Sequence, residues 1–315
     1  MAKISVIWRT LTVPRNPLVV LPLKRGNSRK IVSFRNGLTY CLTWPQFRVL
    51  RDNYPALTKY SVIQLENDLF KIEDKRSEVV CAATLLPIMF DLMRDYEIHQ
   101  EKDAFHLKNE KQELVGSLAM LICVQELRTG EYECDCKDKV VLDVGGFEGE
   151  SAAYFWSKGA KKIVIYEPVP AHIEAIKKNV ALNHIDAEIH PSGIGKQDGT
   201  QTIHCNETDP GCGILSKGAK SLEIKITDVS KVIKESGAQI GKFYCEGAEE
   251  SLVSVPDEIL QKIPHYIIEV HSLKIRKAVL EKFLGAGFIL EKETPKPGEF
   301  SVLVFKKKLC LVNLS

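Results

Sequence analysis

Hydrophobic positions along this chain change their spacing twice. Apolar-rich runs at 31–34 and 38–42 flank Arg35-Asn36-Gly37, and Asn-Gly between two such runs predicts a β-hairpin. Trp44-Pro45 then opens a predicted short helix to Arg51, with proline early in the helix. Helical spacing predicts helices over 78–96, interrupted at Pro87, and over 111–127. From Lys139 onward short apolar runs alternate with helical stretches, the pattern of a parallel sheet with crossover helices. Strands are predicted from Val140, at 163–167, 188–190, 240–245 and 265–271, with two more within 200–226 around the loop 209–213. Helices are predicted over 151–158, from Pro170, from an Asp228 cap to Ser236, and over 273–284. Runs at 288–292 and 300–305 complete the series as an antiparallel pair. The expected fold class is α/β: a doubly wound, seven-stranded, Rossmann-like sheet behind an N-terminal hairpin and helical extension. A change of composition near Thr129-Gly130 puts the expected boundary between 1–129 and 130–315.

Composition adds exclusions. With 315 residues, 44% hydrophobic and 27% charged, the chain has the profile of an ordered protein. Its longest uncharged apolar stretches, 79–90 and 114–124, fall well short of a membrane span. Residues 1–25 show no secretory signal, and nine scattered cysteines suit reduced thiols in a cytoplasm. Net charge is +2, yet residues 1–50 hold nine Lys or Arg and no Asp or Glu. That segment is either a solvated basic surface or a meeting point for RNA, phosphate or an acidic partner.

The most informative run is Val140-Val-Leu-Asp143-Val-Gly145-Gly146-Phe147-Glu148-Gly149-Glu150, with a second apolar run ending at Glu167. Strand, glycine turn, helix, strand and acid form the opening unit of a nucleotide-binding α/β domain. Three carboxylates in the turn, Asp143, Glu148 and Glu150, disfavour a dinucleotide pyrophosphate. They favour a ligand with ammonium and sulfonium groups. S-adenosylmethionine (SAM) carries both; NAD and a ligand-free turn are the alternatives. Gly145, Gly146 and Gly149 permit close backbone approach. Asp143 is expected to hold the methionine ammonium. Glu167, 24 residues further on, is expected to hold the ribose hydroxyls.

Two later motifs fall at predicted strand ends, where ligands bind in open α/β sheets. In Lys242-Phe-Tyr244-Cys245-Glu246-Gly247-Ala-Glu249, one acid could orient a substrate or take a proton, or Glu246 could simply cap a helix. In Tyr266-Ile-Ile-Glu269-Val-His271, alternation puts Glu269 and His271 on one side of the strand. His271 is then a candidate base oriented by Glu269, or a histidine bonded to backbone. Cys134-Asp135-Cys136 lacks a second ligand pair at zinc-like spacing, and no metal is expected.

Taken in order, the 143–155 segment, 159–170, Asn179-Val-Ala-Leu-Asn183, Thr227-Asp228, Lys242-x-x-Cys-Glu-Gly-Ala-Glu249 and Ile268-Glu-Val-His271 resemble the FkbM-type methyltransferase family. The resemblance runs from about Tyr132 to Phe305. It implies a SAM-dependent enzyme, usually methylating a hydroxyl of a sugar or natural product. Its cofactor pattern carries over to Asp143, Gly145, Gly149 and Glu167; Gly146, Phe147 and Pro168 in the same turns count with them as contact candidates. The chain departs at Tyr244, where the family has Asp. That weakens any metal-assisted mechanism and leaves the base to Glu246 or His271, with Tyr244 lining the transfer pocket. The expected function is O-methylation of a small-molecule or glycan hydroxyl, in the cytoplasm and without a membrane partner. The alternatives are an RNA methyltransferase using the basic N-terminal segment, although no Asn-Pro-Pro-aromatic motif is present, and a SAM-binding module without catalysis.

Overall fold

The computed structural model describes residues 29–65, 69–205, 220–296 and 298–308. The predicted loop 209–213 and most of the basic N-terminal segment lie outside them. The chain divides into two compact units, Met1–Asn109 and Glu110–Ser315. Residues 110–129 therefore pack with the second unit, upstream of the expected boundary.

In the first unit the hairpin forms as expected, β1 (Lys30–Ser33) against β2 (Thr39–Leu42). Gly37 takes φ +94° at the turn, open to glycine at no steric cost. Helix α1 (Trp44–Asp52) starts at Thr43, whose N–H donates to the Gln46 side chain at 2.8 Å. Strands β3 (Ser61–Gln64), β4 (Leu69–Glu73) and β5 (Glu78–Ala82) then pair antiparallel. The helix expected over 78–96 is thus a strand followed by a shorter helix, α2 (Leu86–Leu92). Val79 and Cys81 point into the core while their neighbours face outward, a two-residue period that favours the sheet. Pro87 lies in the first turn of α2, where its missing N–H costs nothing. β6 (Glu97–Glu101) and β7 (Ala104–Lys108) form a second hairpin.

The second unit opens with β8 (Glu113–Gly116) and α3 (Leu118–Leu127), where one helix was expected over 111–127. Two asparagines explain the strand. Asn179 Oδ1 accepts from Val115 N and Asn183 Oδ1 from Glu113 N, both at 2.8 Å, so their amides act as a strand partner. Ser117 then caps α3 through Met120 N.

Ten strands remain, seven of which build the expected sheet. They are β9 (Val140–Val144), β10 (Lys162–Tyr166), β11 (Ala187–His190), β12 (Gly193–Gly195), β13 (Gly199–Cys205), β14 (Lys220–Asp228), β15 (Ile240–Phe243), β16 (His265–Val270), β17 (Phe288–Pro295) and β18 (Ser301–Lys307). Between them run α4 (Glu150–Ser157), α5 (Pro170–Leu182), α6 (Val229–Ser236) and α7 (Leu273–Gly285). Seven strands make one sheet in the order β11-β10-β9-β15-β16-β18-β17, and β12-β14-β13 make a separate three-stranded sheet. The first five are parallel; β18 pairs antiparallel with both β16 and β17, so within this sheet β18 alone runs against the others. This is the doubly wound α/β sheet the sequence predicts. Strand order reverses between β9 and β15, the switch point where such sheets open a crevice at their carboxyl edge. A buried core of Leu142, Val144, Phe243, Tyr266, Phe283, Phe288 and Phe305 holds this edge in place. Cys205 is disulfide-bonded, against the expectation of reduced thiols. Cys41, Cys81, Cys123, Cys134, Cys136 and Cys245 are free.

Candidate active site

A cavity of about 330 Å³ opens at the switch point, within the size range of small-ligand sites. Four of the segments singled out in the sequence line it: the glycine turn after β9, the end of β10, and the residues after β15 and after β16.

The glycine turn divides its residues between the cavity and the frame. Gly145 lines the cavity at φ +79°, and a Cβ there would run into the carbonyl oxygen of Tyr244. Gly146 and Gly149 instead face away from the cavity, against Ile165, Ile176 and Asn179, where they let α5 pack closely on the turn. Phe147 lines the cavity and packs edge-on against His172, with centroids 4.7 Å apart. Glu167, 5% exposed, accepts from Phe147 N at 3.1 Å and Val169 N at 3.0 Å, and its Oε1 lies 3.1 Å from His172 Nδ1. These bonds fix the carboxylate at the cavity wall, and its remaining lone pairs can accept from a diol. Pro168, Gly193, Ile194, Ile203, Ile224 and Ile226 continue the wall as an apolar slot.

Asp143 differs from its expected role. It is fully buried, accepts from Ser151 Oγ at 2.6 Å, and has Lys242 Nζ 2.8 Å from Oδ1. The Lys242 ammonium is aligned on Gly145 O at 2.5 Å, so Oδ1 is held by charge rather than by a directed bond. Asp143 braces the turn from behind and is absent from the cavity lining. Glu148 is also framework: its Oε2 accepts from Ser117 N at 2.8 Å. Of the three acids in the turn, Glu150 is the one that lines the cavity. Burial pushes its pKa up to about 8, against the pull of Lys242. A buried carboxyl at a cavity wall is most easily ionised by a cation arriving beside it. Lys242 keeps its proton, because Asp143 and Glu150 outweigh the burial that opposes the charge.

The other end of the cavity is built around His271. Its Nδ1 lies 2.8 Å from Glu249 Oε1, and its Nε2 lies 3.6 Å from Glu246 and 3.5 Å from Glu269. Glu249 is fully buried and also accepts from Gly247 N at 2.8 Å and His271 N at 3.1 Å. Burial opposes a charged imidazole here, but Glu246 and Glu249 prevail and push its pKa up to about 10. An imidazolium has no lone pair to take a proton, so of the two base candidates, Glu246 and His271, the raised pKa of His271 favours Glu246. Glu246 is the carboxylate left open, 44% exposed and in a left-handed backbone conformation at φ +49°. Strain of that kind persists where the surroundings impose it, and here Gly247 at φ +101° and Glu249 do so.

Tyr244 occupies the position where an acid was expected. Its phenol accepts from Lys296 Nζ at 3.1 Å, and its ring lies 5.3 Å from that of Tyr132. Burial, reinforced by Glu269, raises its pKa and keeps the proton on the oxygen. Lys296 also reaches Glu126 at 3.0 Å and Glu269 at 3.1 Å. Among the described residues, no group of three or more His, Cys, Asp or Glu is arranged to hold a metal ion. No helix among them is long and apolar enough to cross a membrane.

Lys242, Tyr132, Lys296 and Phe300 carry parts of this site that the sequence reading did not assign. Lys242 left a signal, a charge inside the buried strand Ile240–Phe243, and Glu249, one of two acids the sequence offered for orienting a substrate or taking a proton, is instead buried against His271. Lys296 and Tyr132 left none, because only folding brings them to Tyr244.

No family model matches the chain, and no curated protein does. Solved structures do. A protein described as a methyltransferase, complexed with SAH (the demethylated form of SAM), is 9% identical, covering 89% of this chain and 87% of its own, with a TM-score of 0.45. A protein described as an RNA methyltransferase from Pyrococcus horikoshii is 14% identical, covering 61% of this chain and 84% of its own, at 0.39. The ribosomal protein L11 methylase of Lactobacillus delbrueckii subsp. bulgaricus is also 14% identical, covering 60% and 80%, at 0.37. At such identities and scores the matches carry nothing about substrate, and the fold rests on the strand order above.

Proposed function

We propose that this chain is a SAM-dependent methyltransferase of the FkbM type that methylates a hydroxyl of a sugar or other small metabolite. The observation that carries the reading is Glu167, fixed by two backbone N–H groups and His172 at the mouth of an apolar slot. A diol-binding carboxylate beside an apolar slot suits an adenosine moiety. Glu150, facing the same cavity, suits the ammonium of its amino-acid end. The residues present therefore fit the cofactor, with Glu150 taking the part first given to Asp143. When bound, SAM supplies an electrophilic methyl group.

The chain's own residues supply position and proton handling. Tyr132, Tyr244 and Phe300 wall the acceptor end. Glu246 takes the proton of the acceptor hydroxyl. His271, held against Glu249, stands 3.6 Å from the Glu246 carboxylate and orients it toward the acceptor end. Isothermal titration of the full chain with SAM, SAH and NAD tests the reading. Binding of SAM and SAH without NAD supports it; binding of NAD alone, or of none of the three, overturns it.

A further inference from the structure

We propose that Cys134 and Cys136 form an oxidisable dithiol at which a hydroperoxide closes a reversible intramolecular disulfide. This site is separate from the cavity chemistry above. The two Sγ atoms lie 3.2 Å apart, about 1 Å beyond a disulfide bond, and Cys136 Sγ also approaches Cys134 O at 3.3 Å.

The turn that brings them together is built rather than incidental. Asp135, between the two, points outward, 78% exposed, and is pinned by Lys139 Nζ at 2.6 Å through its carboxylate and at 2.5 Å through its carbonyl. Lys139 N closes back on Cys136 O at 3.1 Å, and Asp138 N on Gly159 O at 2.9 Å. With Asp135 held outward, its neighbours face the same way, Cys136 buried and Cys134 partly exposed to solvent.

The pair also differs electronically from other thiols. Cys81, Cys123 and Cys245 are pushed up by burial and stay protonated. Cys136 is shifted down by the hydrogen bond from Cys134, while Cys134 is shifted up by the same bond. Loss of one proton thus leaves a single thiolate shared through an S–H···S contact, the form that reacts with peroxide.

The chemistry balances with a hydroperoxide as oxidant. A sulfur of the mono-deprotonated pair attacks the terminal peroxide oxygen; an S–O bond forms, the O–O bond breaks, and the alkoxide leaves as alcohol after taking a proton. The second sulfur then attacks the sulfenic sulfur; S–S forms, S–O breaks, and the oxygen leaves as water with the remaining thiol proton. The dithiol loses two electrons and two protons, and the peroxide is reduced to alcohol and water.

The test is mass spectrometry of the full chain treated with stoichiometric tert-butyl hydroperoxide, alkylated and mapped without reduction. The expected result is loss of two hydrogens on the peptide carrying 134–136, undone by dithiothreitol. Cys134→Ser and Cys136→Ser should each lack that species and yield a sulfenic acid trapped by dimedone. A wild-type peptide that stays fully alkylatable after the oxidant is consumed overturns the proposal. So does one that gathers sulfinic acid without passing through the disulfide.

Discussion

The two ends of the cavity handle buried charge in opposite ways. At the glycine turn, Glu167 is held by the backbone N–H groups of Phe147 and Val169, and Asp143 by Ser151 and Lys242. At the His271 end, one imidazolium is shared among three carboxylates from two strand ends, and Lys296 bridges further acids from α3 and β16. Backbone donors fix a carboxylate without adding charge, which suits a site that receives a charged ligand. A side-chain ion cluster locks its members to one another, which suits a site that keeps one acid open to an acceptor. Disturbing the second end should therefore cost the fold, and disturbing the first should cost binding.

The largest expected effect is that of Glu249→Ala. It strands the Gly247 and His271 donors and an imidazolium in the interior, at a cost of about 3–5 kcal/mol. Urea unfolding measures it, and a loss under about 1 kcal/mol would break the comparison. Glu167→Ala should leave stability nearly intact and weaken SAM binding by about 1–3 kcal/mol, read by titration calorimetry; unchanged affinity would remove the ribose from Glu167.

The two ends should also differ in their response to pH. His271 titrates near 6.5 when unfolded and near 10 when folded. Its stabilising effect is therefore complete below about 6.5 and lost as pH rises through about 10. Glu150 is raised from 4.5 to about 8, so its neutral form likewise favours the fold below about 4.5, and that contribution is lost by about 8. In SAM binding its sign is reversed. Ionised Glu150 attracts the ammonium, so affinity should climb with pH up to about 8, by at most about tenfold per pH unit, with proton release on binding below that point. Affinity that is flat with pH would take the ammonium away from Glu150. The smallest effect is that of Tyr244→Phe, which removes one hydrogen bond to Lys296 at about 1 kcal/mol. It should lower turnover more than SAM affinity, because Tyr244 lies at the acceptor end.

What the sequence disclosed follows the same division. The glycine turn, the β10 acid and the sheet were legible because their determinants are contiguous: apolar runs, glycines and an acid at fixed spacing. The role of Asp143 was not, because its partner Lys242 sits 99 residues away on the adjoining strand. Helical spacing misled at 78–82 and 113–116, where Val79 and Cys81 alternate and Asn179 and Asn183 supply a strand's hydrogen bonds from a distant helix. The surroundings of His271 were hidden for a similar reason. His271 reads as a free imidazole until Glu246 and Glu249 are brought beside it by the turn after β15.

The most direct test of the account is labelled-methyl transfer from SAM to size-fractionated cell extract, comparing the wild-type chain with Glu246→Gln. The prediction is label in a small-molecule or glycan fraction, lowered at least about tenfold by Glu246→Gln at unchanged SAM affinity. Label confined to RNA or protein, or SAM binding with no transfer to any fraction, would contradict it.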